Sequence, residues 1–405
     1  MIESNFKKKN GIEVPLDWDV ISLGDIGEPC MCKRILKEQT DEDGDIPFYK
    51  IGTFGRTPDA YISKELFETF KSKYSYPQKG DILISAAGTI GRHIVFDGSD
   101  AYFQDSNIVW LDNNEKKITN TFLGIFLDVI KWSTTDGGTI KRLYNKNLKE
   151  TLIVQPPVPE QLEISSVLSD MEELLSTLSD LITKKKNILQ GAMYDLLSGK
   201  IRLPGFSCKW EKIKLKDICT FAKGRGLSKS KLSPSGKNEC ILYGEIFTTY
   251  DYSVTECKSR TNVEEGNPSK KGDVLMPAST TTCGIDLAKA VAIEKDGILL
   301  GGDIIIIRNS YEAYNAYFLA CLITTIHKSD IEEVAHGTTI IHLRAKNIEN
   351  LELFIPKDTN EQEEIAKIIA DMNEEIEILE KRFFKYQAIK QGMMQQLLTG
   401  KIRLV

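Results

Sequence analysis

Asp251, Glu256 and Lys258 stand in the spacing D-x4-E-x-K. Two carboxylates and a lysine so placed could hold a divalent cation and set a water against a phosphodiester. Asp112, Glu115 and Lys117 offer a similar set. A chain with 58 acidic and 52 basic residues produces such patterns by chance, and neither set recurs in the matching half of the chain. A self-contained metal-dependent nuclease built on Asp251 is therefore kept only as the alternative. Other chemistries lack their residues. Gly199-Lys200 and Gly400-Lys401 have neither the Ser/Thr nor the upstream glycine of a Walker A loop. There is no G-x-S-x-G, no H-E-x-x-H, and no glycine-rich S-adenosylmethionine loop followed by N-P-P-aromatic. His93, His327, His336 and His342 are spread widely, and the eight cysteines (30, 32, 208, 219, 240, 257, 283, 321) include no C-x-x-C. Reduced thiols in a cytosolic protein are expected, with no catalytic residue, metal or cofactor on this chain.

Binding chemistry is better represented. Lys, Arg and amide side chains in loops beside strands reach phosphates and base edges. The first half offers Lys33, Arg34, Arg56, Arg92, Thr139, Lys141, Arg142 and Lys146. The second offers Lys223, Arg225, Lys229, Lys231, Arg260, Thr339, His342, Arg344 and Lys346. Taken singly, each is also an ordinary solvated surface residue; "KGRGLSKSK" and "GGTIKR" are the clusters. Gly88 and Thr89, in "GTIG", could let bare backbone approach a duplex, or could simply form a tight turn needing positive φ.

These residues are carried by a tandem repeat. "GAMYDLLSGKIRL" from Gly191 and "GMMQQLLTGKIRL" from Gly392 are identical at nine of thirteen positions, 201 residues apart. The repetition extends upstream in unchanged order. "EQLEISSVLSDM" matches "EQEEIAKIIADM", "GGTIKRLYNKNL" matches "GTTIIHLRAKNI", "KGDILISAAGTIG" matches "KGDVLMPASTTTCG", and "WDVISLGDI" matches "WEKIKLKDI". A period near 200 residues is too long for a solenoid.

Each repeat has two parts, giving four segments: 1–157, 158–199, 200–356 and 357–405. The first part of each is rich in Gly, Tyr, Ile, Val and Thr, with short apolar runs such as "DILIS", "NIVWL" and "DIIIIR". That reads as mixed sheet with short helices. The second part is periodic. Ile164, Leu168, Met171, Leu175, Leu178 and Ile182 step 4-3-4-3-4, as do Ile365, Ile369, Met372, Ile376, Leu379 and Phe383. This is a coiled-coil seam. Acidic first turns, the lysines further on, and Gly199 and Gly400 as C-caps complete two helices of roughly 60 Å. The short link 200–209 forces them to run antiparallel, because the intervening domain must touch the end of one and the start of the other. The expected fold is α+β: two mixed α/β domains, one at each end of an antiparallel helical rod, related by a pseudo-two-fold. Leu174, Leu181, Ile378 and Phe384 lie beside the seam and are candidates for a protein interface.

Composition excludes little else. No apolar run approaches the roughly 20 residues of a membrane helix, and the start lacks a signal peptide's apolar stretch. The net charge of −6 is unfavourable for a nucleic-acid binder. Residues 160–200 hold seven acidic and four basic side chains, and 361–401 eight and six, so the helices carry −5 of it. The domains are near neutral, and a partner must share the neutralisation of phosphates.

Two similar but non-identical domains on one rod suit a ligand that repeats along an axis, such as duplex DNA read at two half-sites. The chain resembles the specificity subunit of bacterial type I restriction-modification systems. The resemblance is carried by "PPVPEQLEI" and "IPKDTNEQEEI" opening the helices, "LLSGKIRLP" and "LLTGKIRL" closing them, and "KGDILISAAGTIG" and "GGTIKRLYNKNL" in the domains. The second domain departs, with "ASTTTCG" for "AAGTIG". The resemblance implies a non-catalytic, cytoplasmic subunit with two target recognition domains that reads a bipartite, asymmetric site on double-stranded DNA. It implies two modification subunits methylating adenine, and optional restriction subunits cleaving with ATP. S-adenosylmethionine, ATP and Mg would then sit on those partners. A protein-only coiled-coil adaptor is the further alternative.

Overall fold

The computed structural model describes residues 6–132, 142–309 and 312–404. The chain falls into two units, Met1–Leu178 with Arg382–Val405, and Ser179–Lys381. Each unit holds one α/β domain and half of each long helix.

In the first unit the apolar runs Ile82–Ser85 and Ile108–Leu111 are buried at every residue. A run buried on both faces forms a central strand. They pair antiparallel within the order Pro29–Cys30, Ile108–Leu111, Ile82–Ser85, His93–Val95. A second sheet has the order Tyr61–Ile62, Ile46–Tyr49, Tyr102–Phe103, the last pair parallel. The second unit repeats this plan with more strands. Val274–Pro277 lies between Ile304–Asn309 and Val291–Ile293. Asn238–Ile241 pairs parallel with Leu299–Leu300. A two-stranded ribbon precedes each long helix: Leu152–Gln155 against Asp19–Ser22, and Glu352–Pro356 against Trp210–Lys214.

The long helices run Val158–Leu197 and Thr359–Leu397. Of the seam residues, Ile164, Leu168, Leu175 and Ile182 on the first helix and Ile365, Ile369 and Ile376 on the second are buried, while Met171, Leu178, Met372, Leu379 and Phe383 are half-buried. Within the first unit Lys390 pairs with Glu172, and Arg403 beyond the helix end pairs with Glu160, so the two halves are antiparallel. Within the second, Lys185–Glu375 (2.8 Å) and Arg202–Glu361 (2.7 Å) show the same sense. Each helix ends at a glycine in the left-handed region, Gly199 (φ +71°) and Gly400 (φ +67°), where a side chain is disfavoured. Lys184, Lys185 and Lys186 do not complement a helix dipole, whose influence fades within the last turn. They lie mid-helix, and Lys185 and Lys186 pair with Glu375 and Glu380 instead.

The acids that open the helices also have a different role from the one their position suggests. Glu160, Gln161, Glu361 and Gln362 are fully buried. Gln161 accepts a hydrogen bond from Thr119 N (2.9 Å) and donates to Lys117 O and Pro156 O. Gln362 accepts from Asn315 N (2.9 Å) and donates to Pro356 O and Ala313 O. Thr119 and Asn315 in turn cap the short helices Asn120–Leu127 and Ala316–Thr325. One glutamine therefore ties each long helix to its domain, satisfying buried backbone that would otherwise be costly.

Candidate nucleic-acid interface

The two domains share a backbone frame that three pairs of hydrogen bonds define. Gln104 N donates to Tyr49 O and Gly301 N to Ile241 O, both at 2.9 Å. Ala86 N donates to Asn107 O and Ala278 N to Asp303 O, both at 2.8 Å. Leu143 N donates to Ala86 O (2.8 Å) and Leu343 N to Ala278 O (2.9 Å). Ala87 accordingly bridges Arg142 as Ser279 bridges His342. Position 104 thus corresponds to 301, 107 to 303 and 142 to 342.

A cleft opens over this frame in each domain. The first, about 690 Å³, is lined among others by Arg34, Lys37, Lys50, Gln104, Asp105, Asn107 and Arg142. The second, about 740 Å³, is lined among others by Tyr243, Ser279, Thr280, Asp286, Lys289, Asp303 and His342. In the first, Arg34 Nε pairs with Asp105 at 2.9 Å and Arg142 donates to Ser106 O at 2.7 Å. In the second, Lys223 lies 3.6 Å from Asp303, and Thr282 donates to Asp286, holding that carboxyl below its usual range. Burial lowers the pKa of Lys289, which stacks over Tyr252. Acids offset bases in both clefts, so neither presents the strong positive field of an autonomous DNA binder.

The residues picked from sequence are distributed unevenly. Arg34 and Arg142 line the first cleft, and His342 the second. Lys33 is exposed over the Tyr74 ring. Arg92 lies against Phe54 and borders a separate shallow cleft with Trp132. Arg56, Gly88 and Thr89 are exposed, and Gly88 has φ +66°; the turn reading of "GTIG" has its geometry. Lys146 is exposed and 3.8 Å from Glu150. Thr139 and Lys141 lie outside the described residues. Arg225, Lys229 and Lys231 are exposed on one loop; Thr339, Arg344 and Lys346 are exposed around His342, with Lys346 on the short helix Ala345–Ile348. Arg260 is a structural brace: Nε donates to Gly236 O (2.7 Å) and Nη2 to Lys237 O (2.9 Å).

Gln104, Asn107 and Asp303 also line the clefts and carry no positive charge that would mark them in the sequence. Their only sequence signal is polar residues, "QDSN" and "GGD", lodged between two buried apolar runs. The nuclease patterns dissolve in the fold. Glu115 accepts from Asn120 N, Lys117 donates to Asp25 O, and Asp251 lies beside Lys289. Among the described residues no three His, Cys, Asp or Glu side chains form a metal-sized group.

Paired long helices, each domain sewn to a helix start, and one cleft repeated on two α/β domains define a tandem-duplicated two-domain reader. The model of the type I restriction modification DNA specificity domain matches residues 15–189 and again 208–383, and the chain belongs to that family. It is a type I specificity subunit with two recognition domains in tandem. It is 24% identical over 99% of its length, and 97% of the relative's, to the type I restriction enzyme MjaVIII specificity subunit of Methanocaldococcus jannaschii. It is 60% identical over 161 residues to a candidate type I specificity subunit of Haemophilus influenzae; that match spans 40% of this chain and only 42% of the relative. The fold matches a type I restriction-modification system S subunit from M. genitalium with TM-score 0.61, 17% identity and coverage of 96% of this chain and 97% of that one. It also matches a chain from a study of type I complex assembly, with TM-score 0.57, 13% identity and 96% and 99% coverage.

Proposed function

We propose that this chain reads DNA and leaves the chemistry to its partners. Each recognition domain takes one half of a bipartite, asymmetric site on double-stranded DNA. Two modification subunits dock on the helices, bring S-adenosylmethionine, and flip and methylate an adenine. Restriction subunits, where present, bring ATP and Mg. The chain itself carries no catalytic residue and no cofactor, and works in the cytoplasm; among the described residues no helix is long and apolar enough to cross a membrane.

The observation that carries this reading is the pair of equivalent clefts, built on matching backbone bonds but lined by different polar side chains. A common frame with divergent lining suits two different half-sites. Their near-neutral charge supports a division of labour in which partners neutralise most phosphates. The test exchanges residues 15–157 for the matching domain of a relative, expresses the chain with its modification subunit, and maps adenine methylation across a genome. One half of the motif should change and the other persist. Both halves changing together would overturn the modular reading.

A further inference from the structure

We propose that positions 104, 107 and 142 select bases in the first half-site, and that 303 and 342 do so in the second. The inference rests on the reading of the two domains as DNA readers, and goes further by naming the groups and the bases they take.

Gln104 accepts from Ile51 N through Oε1 (3.0 Å), which fixes its carboxamide and leaves its NH2 with no partner among the described residues. Asn107 is half-buried, and its side chain makes no hydrogen bond among them. Arg142 gives one Nη to Ser106 O and keeps the rest of its donor fork. Two polar groups held by hydrogen bonds, Gln104 and Arg142, thus meet the unbonded carboxamide of Asn107 at one cleft with capacity in reserve.

The second domain keeps the backbone and changes the chemistry. Gly301 stands for Gln104, Asp303 for Asn107 and His342 for Arg142. Asp303 has only long contacts, 3.5 Å from Ser279 Oγ and 3.6 Å from Lys223 Nζ, so its oxygens still accept. Replacing a carboxamide by a carboxylate at a fixed place turns a donor–acceptor pair into acceptors only. Carboxamides suit the N6 and N7 edge of adenine, a guanidinium suits O6 and N7 of guanine, and a carboxylate suits N4 of cytosine. The first half-site should therefore hold adenine and guanine at the read positions, and the second a cytosine opposite Asp303.

The experiment uses the assembled methyltransferase, with this chain and its modification subunit, in a host free of other adenine methylation. Wild type and Asn107→Asp, Arg142→Lys, Asp303→Asn and His342→Arg variants are mapped by single-molecule sequencing, and each purified complex is checked for native melting. The expected result is that the first two alter base preference only in one half of the motif and the last two only in the other. Each should shift preference at one position by roughly 5- to 150-fold. Folded variants that leave the wild-type motif unchanged overturn the inference alone. So does a uniform fall in methylation with no change of preference, which marks a phosphate contact. A wild-type complex that methylates no motif removes the underlying reading as well.

Discussion

Arg403 closes on Glu160, 243 residues earlier in the chain, through Nε to Oε1 (2.6 Å) and Nη2 to Oε2 (2.7 Å). The glutamate is fully buried, Trp18 Nε1 donates to it at 2.8 Å, and the guanidinium lies over the Trp18 ring. The same corner recurs in the other unit. Arg202 grips Glu361 at 2.7 and 2.8 Å, with Trp210 beneath it. This is why "GKIRL" is written twice: its arginine neutralises the buried acid that opens the other long helix. A buried carboxylate stays ionised only if paired and hydrogen-bonded.

Removing either arginine leaves that carboxylate uncompensated. Arg403→Ala should lower stability by about 3 kcal/mol, the low end for breaking a buried pair from one side because the guanidinium keeps some contact with water, and Arg202→Ala should shift stability in the same direction. Urea unfolding followed by tryptophan fluorescence reads it, since Trp18 and Trp210 sit in the two corners. A loss below about 1 kcal/mol in Arg403→Ala would show that the corner relaxes and hydrates.

The corners differ at one position. Asp17 also binds Arg403 (2.7 and 2.9 Å), whereas Lys209 precedes Trp210 where Asp17 precedes Trp18. The hydrogen bond from Arg403 holds the Asp17 carboxyl below the usual carboxylate range. A depressed carboxyl adds stability that is complete above the unfolded value and is lost as pH falls through the folded one. Asp17→Asn should therefore flatten the stability profile below about pH 4. The side chain is half exposed, so the change should be small. Thermal melts of both proteins from pH 2.5 to 6 test it; parallel profiles would discard the linkage.

The two helix stops should respond unequally to a methyl group. At Gly400 a Cβ would lie 2.4 Å from the Pro15 ring, at Gly199 3.1 Å from Trp210. Both also need positive φ, which costs an L-residue roughly 1–2 kcal/mol. Gly400→Ala should lower Tm more than Gly199→Ala, as differential scanning fluorimetry would show. Equal shifts would mean that the Pro15 ring moves aside.

Legibility followed periodicity. Ile164, Leu168 and Leu175 could be placed because a heptad leaves a count in the sequence, and burial confirms them. Gly199 and Gly400 were readable because few residues tolerate that backbone. Glu160 and Gln161 were not: an acid in a first helical turn is ordinary, and nothing local shows that Arg403 will cover it. The cleft failed for a related reason. Gln104 and Asn107 look like turn residues until strands distant in sequence bring Arg142 beside them, while Arg260 looked free but holds carbonyls of its own loop.

The last prediction concerns the outer face of the helices. Leu174, Leu181 and Ile188 recur every seven residues on the first helix and are 39%, 37% and 50% exposed. Ile378 and Phe384 on the second are 44% and 63% exposed. None of these residues belongs to the buried seam, so charge placed there should leave each unit folded. Stability changes within about 0.5 kcal/mol are normal for such surface positions. A soluble helix keeps an apolar face outside its seam chiefly where a protein covers it, and modification subunits are the partners proposed to do so. Leu174→Glu and Phe384→Glu should thus weaken assembly at least tenfold, which corresponds to about 1.4 kcal/mol. Native mass spectrometry of the mixed subunits would report loss of the proposed two-to-one complex, with melting of the isolated chain unchanged. Full stoichiometry and full methylation in both variants would move the docking site from the helices to the recognition domains.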